Sequence, residues 1–172
     1  DFNSLDRYME GIERKGHFNG VATIIEKLFK ILCPDKAYFG EKDLQQLQII
    51  KHITNTLNLD VEIVGSPTIR TRSGLAMSSR NQLLSEEKLK IAALLYKSLT
   101  FVRDGSLDAP AYELIEKAKQ NILNHPDLKL EYFDIVSLET LHPINNFLDK
   151  NKNAVCIAAS ISGVRLIDNI IF

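Results

Sequence analysis

Three short stretches carry residue types whose chemistry goes beyond packing. The first is Phe39-Gly40-Glu41-Lys42-Asp43-Leu44-Gln45-Gln46. It lies where an apolar run gives way to helical periodicity, and a helix start presents unpaired N–H groups that suit phosphate. Gly40 lets a ligand approach the backbone, Lys42 offers a point charge to a phosphoryl oxygen, and Asp43 can accept from ribose hydroxyls. The same residues also suit a solvated first turn in which Asp43 only caps, since neither a P-loop nor a GxGxxG pattern is present. The second stretch is Met77-Ser78-Ser79-Arg80-Asn81. Two hydroxyls and a planar guanidinium fit an anion-binding loop, and they equally fit an ordinary loop ahead of the next helix. The third, Arg14-Lys15-Gly16-His17-Phe18-Asn19-Gly20, is a basic, glycine-broken turn that can hold a carboxylate or simply face solvent. His17 reads poorly as a triad or metal member. His52, His125 and His142 read as structural: one is on a helix and two precede proline.

The elements that must position these residues follow from periodicity. Phe18 to Leu32 reads as a helix with a stripe of Phe18, Val21, Ile25, Leu28 and Leu32, stopped by Pro34. Lys36–Phe39 reads as a strand, Leu44–Leu57 as a helix with Leu44, Leu47, Ile49, Ile50, Ile53 and Leu57 on its stripe, and Asp60–Val64 as a second strand. Strand, helix, strand over this length is a βαβ unit, so the strands should be parallel. One such unit with a leading helix cannot cover both faces of a parallel sheet, so the sequence offers about half of a doubly wound domain. Its start at Asp1, with Met9 the first methionine, agrees with a piece of a longer protein.

From Ile63 to Ser85 there is no acidic residue, yet Arg70, Arg72 and Arg80 occur. Gly65, Pro67 and Gly74 make this window an inter-domain linker and loop. Ser85 then caps a helix whose first turn carries Glu86 and Glu87, read as a solvated helix start. Leu89, Ala92, Ala93, Tyr96 and Leu99 form its apolar face. A second helix spans Pro110 to Leu123, and strands follow at Lys129–Leu138, Asn153–Ser160 and Val164–Phe172, the last two joined by a tight Ser162-Gly163 hairpin. The expected fold class is α/β then α+β: residues 1–67 as a partial Rossmann-like unit, and residues 68–172 as a unit of two helices and about three antiparallel strands.

Composition bounds the function. The 172 residues are 45% hydrophobic and 25% charged, with 21 basic and 22 acidic side chains and a net charge of −1. That balance fits a globular protein and disfavours a dedicated nucleic-acid binder. Tyr96, Phe101, Tyr132 and Phe133 accordingly read as core rather than a stacking platform. No run approaches a membrane span and the N-terminus lacks an apolar signal region. Cys33 and Cys156 read as buried reduced thiols with no metal-type spacing, which fits a cytoplasmic protein.

The stretches GHFNGVATII, PDKAYFGEKDLQQL, EIVGSPTIRTRSGLAMSSRN and RLIDN, in that order, resemble the pantoate–β-alanine ligase (pantothenate synthetase) family. That family belongs to the nucleotidylyltransferase superfamily of the class I aminoacyl-tRNA synthetases. It carries an HxGH motif early in a Rossmann domain and a KMSKS-like loop early in its C-terminal domain, to which the SSRN stretch corresponds. No HxGH occurs here, and Lys15 stands where the family usually has proline. The resemblance therefore implies the late part of the Rossmann domain plus the C-terminal domain, inactive as a ligase by itself. It implies ATP-dependent condensation of pantoate with β-alanine through pantoyl adenylate, releasing pyrophosphate and AMP, with Mg2+ held mainly by the ATP phosphates.

By motif, Lys42 is expected to stabilise the phosphates, while Ser78, Ser79 and Arg80 hold pyrophosphate. Gly40 and Asp43 are expected to bind ribose, the backbone at Ile69 and Met77 to flank adenine, and Gln46 to bind pantoate. Arg14 and His17 are expected near the substrate end. The acid-free window then spares triphosphate from repulsion, and Gly74 suits a loop closing over ATP. The implied partners are small molecules, with no nucleic acid or membrane, and the intact protein is expected to be a homodimer. A non-catalytic nucleotide-binding or interaction module is the alternative.

Overall fold

Lys36–Gly40 (β1) and Glu62–Ser66 (β2) run parallel and in register, Ala37 opposite Ile63 and Phe39 opposite Gly65, in the computed structural model of the chain, which describes residues 1–149 and 151–172. Between them the chain passes through a 3-10 turn at Glu41–Asp43 and a helix, Leu44–Thr56. Parallel strands need such a crossover. Ahead of them lie a four-residue helix, Glu10–Glu13 (α1), and a long one, His17–Leu32 (α2), so the crossover helix is α3. The chain divides into two compact units, residues 1–67 with 140–142 and residues 68–139 with 143–172.

In the first unit α3 buries Leu44, Leu47, Ile49, Ile50 and Ile53, as its periodicity required. Leu57 does not join them; it is the C-cap residue and is 43% exposed. The stripe expected on α2 is corrected more substantially. Phe18 and Phe29 are its buried residues, while Leu28 and Leu32 lie exposed with Ile24 and Ile31. The helix is amphipathic, with its apolar residues on one continuous half and Asn19, Thr23, Glu26, Lys27 and Lys30 on the other, but only the flank of the apolar half that holds Phe18 and Phe29 is fully covered. The two phenylalanines, three turns apart on one side, bury the most area, and Phe29 stands edge-on to Phe39 at 6.5 Å. Cys33 is also corrected. It is exposed, closing α2 in the left-handed conformation (φ 44°), whereas Cys156 is buried.

The second unit packs two helices, Glu86–Gly105 (α4) and Ala111–Leu123 (α5), on an antiparallel sheet of Leu128–Ser137 (β3), Asn153–Ile161 (β4) and Val164–Ile171 (β5), with β4 central. Its core joins Leu95, Leu99, Val102, Leu114 and Ile122 of the helices to Phe133, Ile135, Val155 and Ile157 of the sheet. Ser85 caps α4 by accepting from the Lys88 N–H at 3.3 Å. Ser162 and Gly163 both have positive φ (50° and 78°), as a type I′ hairpin turn demands. Of the aromatics read as core, Phe133 is fully buried, but Phe101 is 39% exposed on the outer side of α4. No helix among the described residues is long and apolar enough to cross a membrane.

One side chain of the sheet works against stability. Asp134 on β3 sits opposite Cys156, and burial raises its pKa above 3.8, only partly offset by Lys119. A raised carboxyl favours folding below its unfolded pKa and loses that contribution as pH rises through the folded value. Asp134→Asn is therefore expected to melt above the wild type at pH 7, with the gap closing as pH falls toward 3.8. Melting curves across that range test this; a variant less stable at pH 7 refutes it.

Candidate nucleotide and substrate residues

In the first unit the candidates gather where β1 ends. Gly40 closes the strand in an extended conformation (φ −66°, ψ 130°) and leads into the 3-10 turn. A Cβ at Gly40 would meet nothing within 4 Å, so the backbone there stands open. Lys42 is mostly covered, with 20% of its side chain exposed, and its Nζ lies 3.9 Å from Asp43 Oδ1. Asp43 occupies the N-cap position of α3 but makes no side-chain cap hydrogen bond. A purely capping role thus lacks the bond that defines it, and the half-exposed carboxylate (51%) is directed elsewhere. Gln46 follows on the half-buried side of the first turn of α3.

Gly16 starts α2 with φ 76°, a left-handed conformation that frees His17 to begin the helix. The His17 pKa is lowered, first by burial and next by the Arg14 charge, with Glu10 and Asp43 pulling it back up. His17 thus sits in the field of both Arg14 and Asp43, and its ring is biased toward the neutral form that accepts as well as donates. Arg14 is itself 4.0 Å from Glu10.

The neighbouring Gln45 escaped the sequence reading. It is buried, its Oε1 accepts from the Glu10 N–H at 2.9 Å, and its Nε2 donates to the carbonyls of Leu5 and Tyr8 at 2.7 and 2.9 Å. One amide thereby ties the N-terminal segment to α3. Nothing in the Gln-Gln pair distinguishes this residue from Gln46; only the register of α3 does.

In the second unit, Ile69 and Met77 face each other across a small hairpin, the Met77 N–H donating to the Ile69 carbonyl at 2.9 Å. Both side chains are exposed, at 68% and 56%. Ser78 then caps a second 3-10 turn, Ser79–Leu83, its Oγ accepting from the Arg80 N–H at 3.2 Å. Arg80 is exposed and donates to the Arg165 carbonyl at 3.2 Å. The hydroxyls and guanidinium are thus grouped on one short turn beside β5.

Two expectations for this window change. It is not a plain linker, because Arg70 and Ala76 form an antiparallel bridge. Nor is it free of acid in space. Arg70 forks onto the Asp168 carboxylate at 2.6 and 3.0 Å, so one of its three arginines is already neutralised. Gly74, expected in a loop that closes, has a φ of 89°, and a Cβ added there would lie 2.1 Å from the Tyr96 ring.

These features define a class: an α/β unit built on a parallel strand–helix–strand crossover, followed by an α+β unit that carries a Ser-Ser-Arg turn. The pantoate-beta-alanine ligase family model matches residues 1–171. Pantothenate synthetase of Cytophaga hutchinsonii is 44% identical over 99% of this chain and 61% of its own length; that of Fervidobacterium nodosum is 43% identical over 97% and 59%. The crystal structure of pantothenate synthetase from Thermus thermophilus superposes with a TM-score of 0.92 at 38% identity, over 97% of this chain and 60% of that one. A pantoate-beta-alanine ligase from Francisella tularensis, in complex with beta-gamma ATP and beta-alanine, gives 0.70 at 32% identity, over 97% of this chain and 55% of that one. The chain belongs to the pantoate–β-alanine ligase family, and it spans about 60% of the length of the Cytophaga relative.

Proposed function

We propose that these 172 residues serve as part of a pantothenate synthetase that joins pantoate to β-alanine at the expense of ATP. The observation that carries this reading is the family match along residues 1–171. In it the pantoate carboxylate attacks the α-phosphorus of ATP, giving pantoyl adenylate and pyrophosphate. The amine of β-alanine then attacks the acyl carbon and releases AMP. Neither step needs a protein nucleophile; positioning and charge stabilisation suffice.

The residue roles in this reading are those the family motifs imply. Lys42 places its ammonium against the phosphates as charge builds, and its low exposure strengthens that interaction by excluding water. Gly40 leaves room for ribose, and Asp43 accepts from its hydroxyls. Gln46 hydrogen-bonds pantoate, with Arg14 and His17 toward the substrate end. Ser78, Ser79 and Arg80 hold the departing pyrophosphate, while the backbone at Ile69 and Met77 flanks adenine. In this reading the magnesium of MgATP is held mainly by the phosphate oxygens.

The experiment is a coupled assay with pantoate, β-alanine and MgATP on the longer protein that this reading implies. Stoichiometric pantothenate, AMP and pyrophosphate are expected; ADP and phosphate in their place overturn the adenylate route. The 172-residue chain alone, which contains no HxGH sequence, is expected to make no pantothenate. Turnover by that chain contradicts the expectation.

A further inference from the structure

Arg70 makes four side-chain hydrogen bonds in the second unit, yet neither the motif reading nor the proposed reaction gives it a task. Its Nη1 donates to Asp168 Oδ2 at 2.6 Å and to the Gly74 carbonyl at 3.1 Å. Its Nη2 donates to Asp168 Oδ1 at 3.0 Å and to the Asn169 carbonyl at 3.1 Å. The guanidinium carbon also lies 4.1 Å over the centroid of the Tyr96 ring. The carboxylate is nearly sealed, 2% of its side chain being exposed, and the Asn169 N–H donates to its Oδ1 at 2.8 Å. One planar group thereby joins three pieces of chain: the 69–77 hairpin, α4 through Tyr96, and β5 through Asp168.

Within the hairpin the Thr71 N–H donates to the Leu75 carbonyl, and the Met77 N–H donates to the Ile69 carbonyl, both at 2.9 Å. Asn81 Nδ2 donates to the Ala76 carbonyl at 3.1 Å, fastening the far strand to the Ser79–Leu83 turn. Ile69 and Met77 nevertheless keep their side chains in solvent. An exposed apolar pair costs nothing to order at binding only if its backbone is already fixed.

We propose that Arg70, held by Asp168 and Tyr96, is a positioning residue that preforms the 69–77 hairpin as a rigid edge for the purine ring of ATP. The proposal rests on the adenine role of Ile69 and Met77 given above. A bidentate fork stacked on an aromatic face fixes direction as well as distance. A lysine, which is a point charge, cannot reproduce that.

The test uses Arg70→Lys and Asp168→Asn in the longer protein. Both are expected to raise KM for ATP on the order of tenfold, to leave KM for pantoate within about twofold, and to narrow the preference for ATP over GTP. A merely structural role lowers melting temperature and active fraction but moves neither the ratio of the two KM values nor the base preference. Folded variants with wild-type KM for ATP overturn the proposal. Should both variants fail to fold, hydrogen exchange on the wild type decides. Slow exchange of the Thr71 and Met77 amides without ATP supports a preformed edge, and protection that appears only with ATP overturns it. If the wild type forms no pantothenate, the functional reading has failed; if it does and only the variants behave as wild type, the positioning role alone has.

Discussion

Replacing Lys42 with alanine in the longer protein is expected to slow pantoate-dependent pyrophosphate release by ~10²-fold or more, the scale of losing one charge contact aimed at a transition state. The side chain is mostly covered, with Asp43 Oδ1 3.9 Å from its Nζ. Its attraction for developing phosphate charge is therefore exerted in a medium poorer in water than the surface. The loss should fall on kcat and kcat/KM together, because the interaction strengthens as the α-phosphorus bond forms. Measuring pyrophosphate before β-alanine is added isolates the first step. Release at a wild-type rate would remove Lys42 from the chemistry.

Gly74→Ala should destabilise the second unit by about 3 kcal/mol, combining overpacking with a side chain in a conformation that favours glycine. For a chain of this size that corresponds to a fall in Tm of roughly 6–12 °C. The physical cause is local and unambiguous. At φ 89° the new Cβ would lie 2.1 Å from Tyr96 Cδ1, and the ring is itself backed by the Arg70 guanidinium at 4.1 Å. Ring and hairpin must separate, and the bond from Arg70 to the Gly74 carbonyl (3.1 Å) goes with them. A melting temperature within about 2 °C of wild type would show that Tyr96 swings aside freely.

Much of the fold was legible because periodicity has a direct physical meaning. Leu44, Leu47, Ile50 and Ile53 recur every three to four residues, which can bury them together only on a helix, and α3 does so. Short apolar runs on either side of it left a parallel pair as the economical arrangement. Ser162-Gly163 announced its turn because few residue pairs accept two positive φ values. The buried part of α2 was not legible: spacing marks the apolar half of the helix but not which flank of that half meets a neighbour, and Phe29 found one in Phe39. Cys33 was misjudged for a related reason, since apolar flanks say nothing about a residue placed just past the end of a helix.

The candidate site divides the same way. Local chemistry in the sequence singled out Gly40, Lys42 and Asp43 and the Ser78-Ser79-Arg80 group, because each set lies on a few consecutive residues and needs only one turn to assemble. Gln45 and Arg70 stayed hidden, since their partners lie 40 or 98 positions away. A bond between distant residues leaves no mark on local spacing. The sequence by itself therefore determined the elements, the parallel crossover and the clusters of chemistry built from neighbours. Only the tertiary structure decided which apolar face is buried, that Asp168 neutralises an arginine of the acid-free window, and that the 69–77 hairpin is tied down. Those outcomes depend on which distant groups compete successfully for the same buried space and the same hydrogen bonds.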